Sequence, residues 1–336
     1  MKSRLFLCLF TVVAACIALS SAAFSQTTGY RISEPIAYKN LSIFLIHGKD
    51  ENTKGNILTL QEAMERKLFV VYETSEVNEL QVENLSKEFD VFIQSGDIVK
   101  GGKQDRVLAV SIIIPARSGR VSIEAFCVES GRWTKRGSED STKFNSSNDR
   151  IVTKELKIAA NSMRSQQEVW AKVTDAQSRL SRTVGETVNA PSSSSSLQLA
   201  LENKQVTATI DDYMTNLAGA VAGKSDVIGY AFAINGKINS ADVYVSNALF
   251  KKVWMKMLKA AATEAVAESR GVRLAEPVKA AEVKSFIDDS ENAAKREQTL
   301  SAGAKLITRE DKDNVMFEAR DEKSKTVVHR SYVKKQ

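Results

Sequence analysis

Two polar segments in the first half of the chain carry residue types that suit ligand binding. Residues 97–106 contain a Gly-Gly-Lys run, and residues 127–133 end in Gly-Arg-Trp after an apolar stretch. Adjacent glycines let backbone N–H groups approach a ligand closely, and an Arg–Trp pair can clamp a planar ring. We expect a loop surface here, with the candidate ligand-binding residues Lys103, Gln104, Asp105, Arg106, Glu129, Arg132 and Trp133.

The glycine-containing segment does not fit a nucleotide-hydrolase phosphate loop. That loop requires Ser or Thr after its lysine to hold magnesium, and Gln104 follows Lys103 here. Lys103 and Arg106 still supply positive charge for an anion or amide ligand. A structural alternative is a hairpin loop in which Asp105 and Arg106 pair with neighbouring charges, and the residues alone leave both interpretations open.

The second segment is equally ambiguous. Arg132 and Trp133 can sandwich a planar ligand, with Glu129 accepting hydrogen bonds. Arg132 can instead form a salt bridge to Glu129 beneath a Trp133 that caps the sheet.

Residues for catalysis or metal binding are scarce. A nucleophilic Cys127 would need a base, and the chain has only two histidines, His47 and His329. Cys127 lies among apolar neighbours, which favours a buried thiol. We expect His47 to end a strand and Asp242 to lie at a turn or sheet edge. The chain also lacks a Gly-x-Ser-x-Gly elbow. We therefore expect no catalytic residue, no metal site and no cofactor.

The amino terminus has the pattern of an export signal. Lys2 and Arg4 precede an apolar run, and small residues precede Gln26. We expect cleavage after residues 1–25, an extracytoplasmic (periplasmic or secreted) protein and no transmembrane span in the mature chain. Lipid anchoring at Cys16 is the alternative.

Charge composition argues against nucleic-acid binding. The net charge is +6, and loss of Lys2 and Arg4 with the signal reduces it to +4. Basic and acidic residues are interspersed, whereas nucleic-acid-binding proteins cluster their basic residues. We therefore expect a small molecule or a protein as the partner.

The first half of the chain is predicted to be mostly β-structure. Thr59 and Glu62 form a capping-box pattern that predicts a short helix over residues 58–67. Residues 134–147 are predicted to be a surface loop, and residues 149–182 one long helix or two shorter ones. Strands are expected at residues 41–46, 68–72, 80–82, 91–93, 107–114 and 121–128, the last two as a hairpin.

The second half is predicted to combine helices and strands. Residues 190–197 are expected to form a flexible insertion, and Asn235-Gly236 predicts a tight hairpin. The fold class is α+β: an antiparallel β-rich N-terminal part with long helices and a C-terminal α/β part, integrated into one exported domain over residues 26–336. The expected helices are 209–220 and 248–269, and the expected strands are 226–234, 238–245, 305–308, 315–319 and 327–332.

Six short segments resemble a bacterial domain family named for its association with ADP-ribosylglycohydrolase, rhodanese and phosphatase superfamily genes. The resemblance covers roughly residues 34–270 and rests on residues 58–63, 77–84, 101–108, 127–133, 165–170 and 233–237. It implies a link to ADP-ribose metabolism through gene association alone.

These observations favour an exported, non-catalytic ligand-binding or interaction module, with a phosphate- or ribose-containing compound as the expected ligand. A hydrolase acting on such a compound and a structural envelope protein are the alternatives. The missing nucleophile elbow, base and metal cluster favour binding over catalysis.

Overall fold

The structure is a computed structural model that describes residues 28–51, 56–269, 276–299, 305–321 and 325–335. The expected signal over residues 1–25 and its Cys16 lie outside these described residues. The fold is α+β with mainly antiparallel sheets, which confirms the predicted class.

The described residues up to Arg150 are rich in short strands. One helix, α1 (Leu60–Glu65), interrupts them, and it has the predicted capping box between Thr59 and Glu62. The strands are β1 (Arg31–Ile32), β2 (Ile36–Tyr38), β3 (Leu41–His47), β4 (Ile57–Thr59), β5 (Phe69–Glu73), β6 (Glu79–Asn84), β7 (Asp90–Ile93), β8 (Asp97–Gly101), β9 (Arg106–Leu108), β10 (Ile112–Ile114), β11 (Arg120–Cys127) and β12 (Phe144–Arg150).

The sequence predicted one strand over the apolar run 107–114, and this prediction is wrong. The run divides into β9, which pairs with β8 and β11, and β10, which pairs with β7 in a separate three-stranded sheet. The connecting residues, Ala109 to Ser111, carry the chain between the two sheets. Both strands are buried, so hydrophobicity does not reveal where the chain changes partners.

The middle of the chain also differs from prediction in two places. Residues 149–150 end β12 instead of starting a helix. The helical part is broken at Arg164, which has a left-handed φ of 50°, so the alternative of two shorter helices is confirmed. In residues 190–197, Pro191, Ser192 and Ser194 are exposed, whereas Ser196 is fully buried and caps the next helix. The helical segments are α2 (Lys154–Ile158), a π-helix (Ala159–Met163), α3 (Gln166–Val184), α4 (Leu197–Leu201), α5 (Lys204–Leu217), a 3-10 turn (Ala218–Val221), α6 (Asn247–Ala267) and α7 (Ala280–Asn292).

The largest sheet joins both ends of the chain. Its order is β1-β3-β13-β14-β18-β17-β16-β15, with β2 beside β3. The predicted Asn235-Gly236 hairpin is confirmed, with φ values of 53° and 71°. The remaining strands are β13 (Val227–Ile234), β14 (Lys237–Tyr244), β15 (Ala294–Thr299), β16 (Lys305–Glu310), β17 (Asn314–Arg320) and β18 (Val327–Lys334).

Both faces of this nine-stranded sheet are covered. Helix α6 packs on β13 on one face, where the main core also includes α3 and α5. Helix α7 covers the other face with Val283, Phe286 and Ile287. Neither α7 nor β15 was predicted from the sequence. Among the described residues, no helix combines the length and apolar character needed to cross a membrane.

Candidate functional site

The structure brings the two predicted polar segments together. Strands β9 and β11 are antiparallel neighbours, with Cys127 opposite Arg106. The N–H of Val128 donates to the carbonyl of Asp105 at 3.0 Å. The two segments are therefore neighbours in the fold, and residues 97–101 form strand β8 where a loop was predicted.

The charged residues of these segments form an ion-pair cluster. Arg132 Nη2 lies 2.7 Å from Glu129 Oε2, and Arg136 Nη1 lies 2.9 Å from Asp105 Oδ2. The carboxylates of Asp105 and Glu129 are fully buried. On the opposite side of the cluster, Arg106 is also fully buried. We define the ion-pair cluster as Glu73, Asp105, Arg106, Glu129, Arg132 and Arg136.

Two members of the cluster were not predicted from sequence. Glu73, at the end of β5, lies 3.3 Å from Arg106 Nη2. Arg136 belongs to the stretch predicted to be a polar loop, and nothing in its sequence context indicates burial. Arg106 also donates to the carbonyls of Glu76 and Val77.

The cluster is electrostatically satisfied. Burial alone would raise the pKa of Glu129, but hydrogen bonds from Arg132 and from the Asp105 N–H hold it below its ordinary value. Burial lowers the pKa of Arg136, but Asp105 and Glu139 outweigh that effect and raise it. Glu129 and Arg136 are therefore held in their charged forms, and the three carboxylates and three guanidinium groups of the cluster balance in number.

The expectation of an exposed loop surface is wrong for Gln104, Asp105, Arg106 and Glu129, all of which are buried. The salt bridge between Arg132 and Glu129 agrees with the structural alternative for the second segment.

Trp133 is 42% exposed. Two cations lie over its ring: Lys103 Nζ is 5.2 Å and Arg106 Cζ is 5.6 Å from the ring centre. Lys103 Nζ donates to Ser75 at 2.8 Å. Lys103 and Trp133 are the members of the predicted set best placed to contact a ligand without rearrangement. The ligand-binding role of the seven residues stays a prediction.

Three further expectations concern polar residues in or near strands. Cys127 is buried, as predicted, and burial raises the pKa of its thiol to about 11. Asp242 is not an isolated edge acid: its Oδ1 lies 3.0 Å from Nε2 of the buried His329. His47 ends β3, as expected, and its Nδ1 lies 2.9 Å from Asp226.

A cavity of about 510 Å³ lies elsewhere, against the ends of β14–β18 and the start of the described chain. We call it the basic cavity. Among the described residues, Lys49, Lys295, Arg309, Arg320 and Arg330 supply positive charge. The carboxylates that line it are Glu51, Glu291 and Glu318, so positive charge predominates.

Arg330 is the fixed centre of the basic cavity. It donates to Glu318 Oε2 at 2.7 Å and to the hydroxyl of Tyr30 at 2.9 Å. Burial would raise the pKa of Glu318, but Arg330 and Arg320 lower it. Arg309, in contrast, has no salt-bridge partner among the described residues; its Nη1 makes a long contact of 3.5 Å to the Ala293 carbonyl. The basic cavity thus contains one guanidinium held by an ion pair, that of Arg330, and one without an ion pair among the described residues, that of Arg309.

Metal binding receives no support from side-chain placement. Within the described part of the chain, no group of three or more His, Cys, Asp or Glu side chains is arranged to hold an ion.

Comparison with known proteins gives one match. A model of the ARG and Rhodanese-Phosphatase-superfamily-associated Protein domain matches residues 29–333. This stretch is longer than the 34–270 expected from the short segments. No curated protein and no solved structure matches the chain.

Proposed function

Because this chain belongs to the ARG and Rhodanese-Phosphatase-superfamily-associated Protein domain family, whose description names associated proteins and no reaction, we propose its function from geometry. The protein is an exported module that binds a small phosphate- and ribose-containing compound in the basic cavity. The excess of cationic side chains in that cavity carries the proposal.

Size and charge both support this ligand class. A volume of about 510 Å³ falls in the range of about 300–1,000 Å³ found for small-molecule sites. Arg309 can donate charge-assisted hydrogen bonds to a phosphate without breaking an existing ion pair among the described residues. The Glu51 carboxylate also lines the cavity and can accept hydrogen bonds from ribose hydroxyls.

Calorimetric titration of ribose 5-phosphate, ADP-ribose, inorganic phosphate and ribose tests the proposal. We expect the compounds that contain both groups to bind more tightly than either fragment. Arg309→Met should weaken binding by roughly 10- to 100-fold, since a hydrogen bond to a charged group contributes about 1.5–3 kcal/mol.

Arg296→Met is the matched control. Arg296 is exposed on β15, next to Lys295, and does not line the cavity. Failure of all four compounds to bind would favour the structural envelope role. Loss of binding in Lys103→Ala but not in Arg309→Met would move the site to the predicted polar segments.

Export is proposed from the amino-terminal pattern of residues 1–25. Amino-terminal sequencing of the protein recovered from outside the cytoplasm should begin near Gln26. Recovery of a chain that begins at a diacylated Cys16 would replace soluble export by lipid anchoring.

A further inference from the structure

Three polar residues from distant parts of the sequence meet on the sheet face opposite the basic cavity. His329 on β18 lies between Ser111, in the β9–β10 connection, and Asp242 on β14. The distances are 3.0 Å from Nδ1 to Ser111 Oγ and 3.0 Å from Nε2 to Asp242 Oδ1. All three residues are at least 93% buried, since Ser111, the most accessible, is 7% exposed.

The surrounding charges determine the directions of these hydrogen bonds. Burial would raise the pKa of Asp242, but the His329 hydrogen bond and the positive charges of Arg150 and Lys157 hold it below its ordinary value. An ionised Asp242 can only accept, so Nε2 of His329 carries the proton and donates. Nδ1 is then an acceptor, and the Ser111 hydroxyl donates to it.

Ser111 Oγ keeps a lone pair that accepts from the Ser95 N–H at 3.0 Å. The Ser111 hydroxyl therefore donates to His329, and its oxygen accepts from the Ser95 N–H. This is the arrangement of a serine that a neighbouring base activates for nucleophilic attack.

Ser111 and Asp242 line a cavity of about 20 Å³, which we call the sheet cavity. This volume accommodates about one water molecule. Arg150 also lines it and is 5% exposed, and its buried Nε has no hydrogen-bond partner in the described structure. Its other nitrogens donate to Met257 Sδ and the Ser95 carbonyl, so no carboxylate among the described residues neutralises it by direct contact.

Asn161 lines the sheet cavity from the π-helix, and its Oδ1 accepts from Ser95 Oγ at 2.7 Å. Short π-helical segments occur frequently at functional sites. The unpartnered Nε–H of Arg150 thus presents a hydrogen-bond donor at the sheet cavity, where an acyl oxygen would become negatively charged.

We propose that Ser111, His329 and Asp242 form a catalytic triad that hydrolyses esters of small acyl groups. Ser111 Oγ attacks the carbonyl carbon while its proton passes to His329 Nδ1. The C–O bond to the alcohol then breaks, and that alcohol leaves with the proton. Water attacks the acyl-serine with His329 again as the base, releasing the carboxylic acid and restoring Ser111.

The sheet cavity accommodates about one water molecule, so only the carbonyl oxygen of a small acyl group fits beside Ser111. Val110 lines both the sheet cavity and a second pocket of about 160 Å³, which also includes Ile112 and Arg164. The second pocket is the place for the larger alcohol part. This activity is independent of the basic cavity, because the two cavities lie on opposite faces of the sheet. Asp242 and Ser331 line the sheet cavity, whereas their chain neighbours Val243 and Arg330 line the basic cavity.

Covalent labelling with methanesulfonyl fluoride tests the proposal on the full chain. The reagent is small; Ser111 Oγ would form a bond to sulfur and release fluoride. Mass spectrometry should locate the adduct on Ser111, and p-nitrophenyl acetate hydrolysis should be lost in the same samples. Ser111→Ala should abolish both, whereas Ser290→Ala, which removes a buried serine hydroxyl on α7, should change neither.

Asp242→Asn tests positioning by Asp242. The asparagine amide would donate to Nε2, move the imidazole proton to Nδ1 and remove the base. We expect kcat to fall by about 100-fold or more with little change in KM. Absence of the Ser111 adduct, or labelling unaffected by Asp242→Asn in a variant that melts normally, overturns the proposal.

Discussion

At the scale of single residues, burial of charge is the main feature of the ion-pair cluster. Desolvation of an ion costs several kcal/mol, and only a close opposite charge with additional hydrogen bonds offsets that cost. Asp105 meets both conditions, because it accepts from Arg136 and from the hydroxyl of Ser196. Removal of one partner therefore leaves a charge that water cannot reach.

Arg136→Met should destabilise the fold strongly. Breaking a buried pair costs about 3–5 kcal/mol, because Asp105 and Glu129 would lose a cation while remaining buried. Lys103→Met is the control: its ammonium donates to the exposed Ser75 and lies against the half-exposed Trp133 ring, and we expect a change within about 1 kcal/mol. Urea unfolding measures both. Equal, small losses would mean that the cluster contributes nothing to stability.

Cys127 should be chemically inert in the folded protein. The thiolate is the reactive form, and with a pKa of about 11 roughly one thiol in a thousand is ionised at pH 8. We expect no iodoacetamide adduct on Cys127 in the native state and full alkylation in denaturant, as measured by peptide mass spectrometry. Rapid native alkylation would indicate that the segment opens.

At the scale of elements, close contact between β13 and β14 fixes the position of Asp242 on β14. Gly229 on β13 is opposite Val243, and a Cβ atom built there would lie 2.2 Å from the backbone oxygen of Asp242. A strand glycine at such a contact is required by space, not by backbone conformation. Its replacement must push the two strands apart.

Gly229→Ala should therefore lower the free energy of unfolding by about 1–3 kcal/mol, the cost usual for overpacking. Gly219→Ala provides the comparison, because no atom lies within 4 Å of the added methyl group in the 3-10 turn. We expect that variant to change stability by about 0.5 kcal/mol or less. Thermal denaturation of both proteins decides the matter, and a harmless Gly229→Ala would contradict the strand spacing.

At the scale of the whole molecule, acid should destabilise the fold. The pKa values of Glu129, Asp242 and Glu318 are lowered in the folded state. Stability from these groups is fully present above their ordinary values of 4.5 for Glu and 3.8 for Asp. It is lost as the pH falls through the lower folded values, since the unfolded chain then binds more protons.

Unfolding measured between pH 6 and pH 3 should thus show stability that declines below about pH 4.5. Glu129→Gln should be less stable at neutral pH but show a shallower decline, because one of the contributing carboxylates is gone. Stability that rises on acidification would contradict the ionised state of these buried acids.

Strand pairing also predicts that the molecule survives a cut in its exposed loop. β3 pairs with β13, and β8 pairs with β12, so both pairings join segments on opposite sides of Gly137. A specific protease site inserted at Gly137 should be cleaved without separation of the fragments on gel filtration in native buffer. Fragments that separate and remain folded would show two independent domains.

The sequence by itself determined the local features. The capping box at Thr59, the Asn235-Gly236 turn and the α6 helix depend on residues close in the chain, and each was predicted from them. The α+β class and the family likewise followed from periodicity and short segments. Local chemistry suffices here because capping, turn conformation and helical periodicity are set within a few residues.

Only the tertiary structure decided which polar residues meet. Arg136 is separated by 31 residues from Asp105, and Asp242 by 87 from His329, and neither pair has a local signal. The break between β9 and β10, which places Ser111 beside His329, was hidden in an apolar run. Pairing across a sheet is set by the register and order of distant strands. Strands buried on both faces, such as β9 and β13, lack the apolar–polar alternation that would indicate the register.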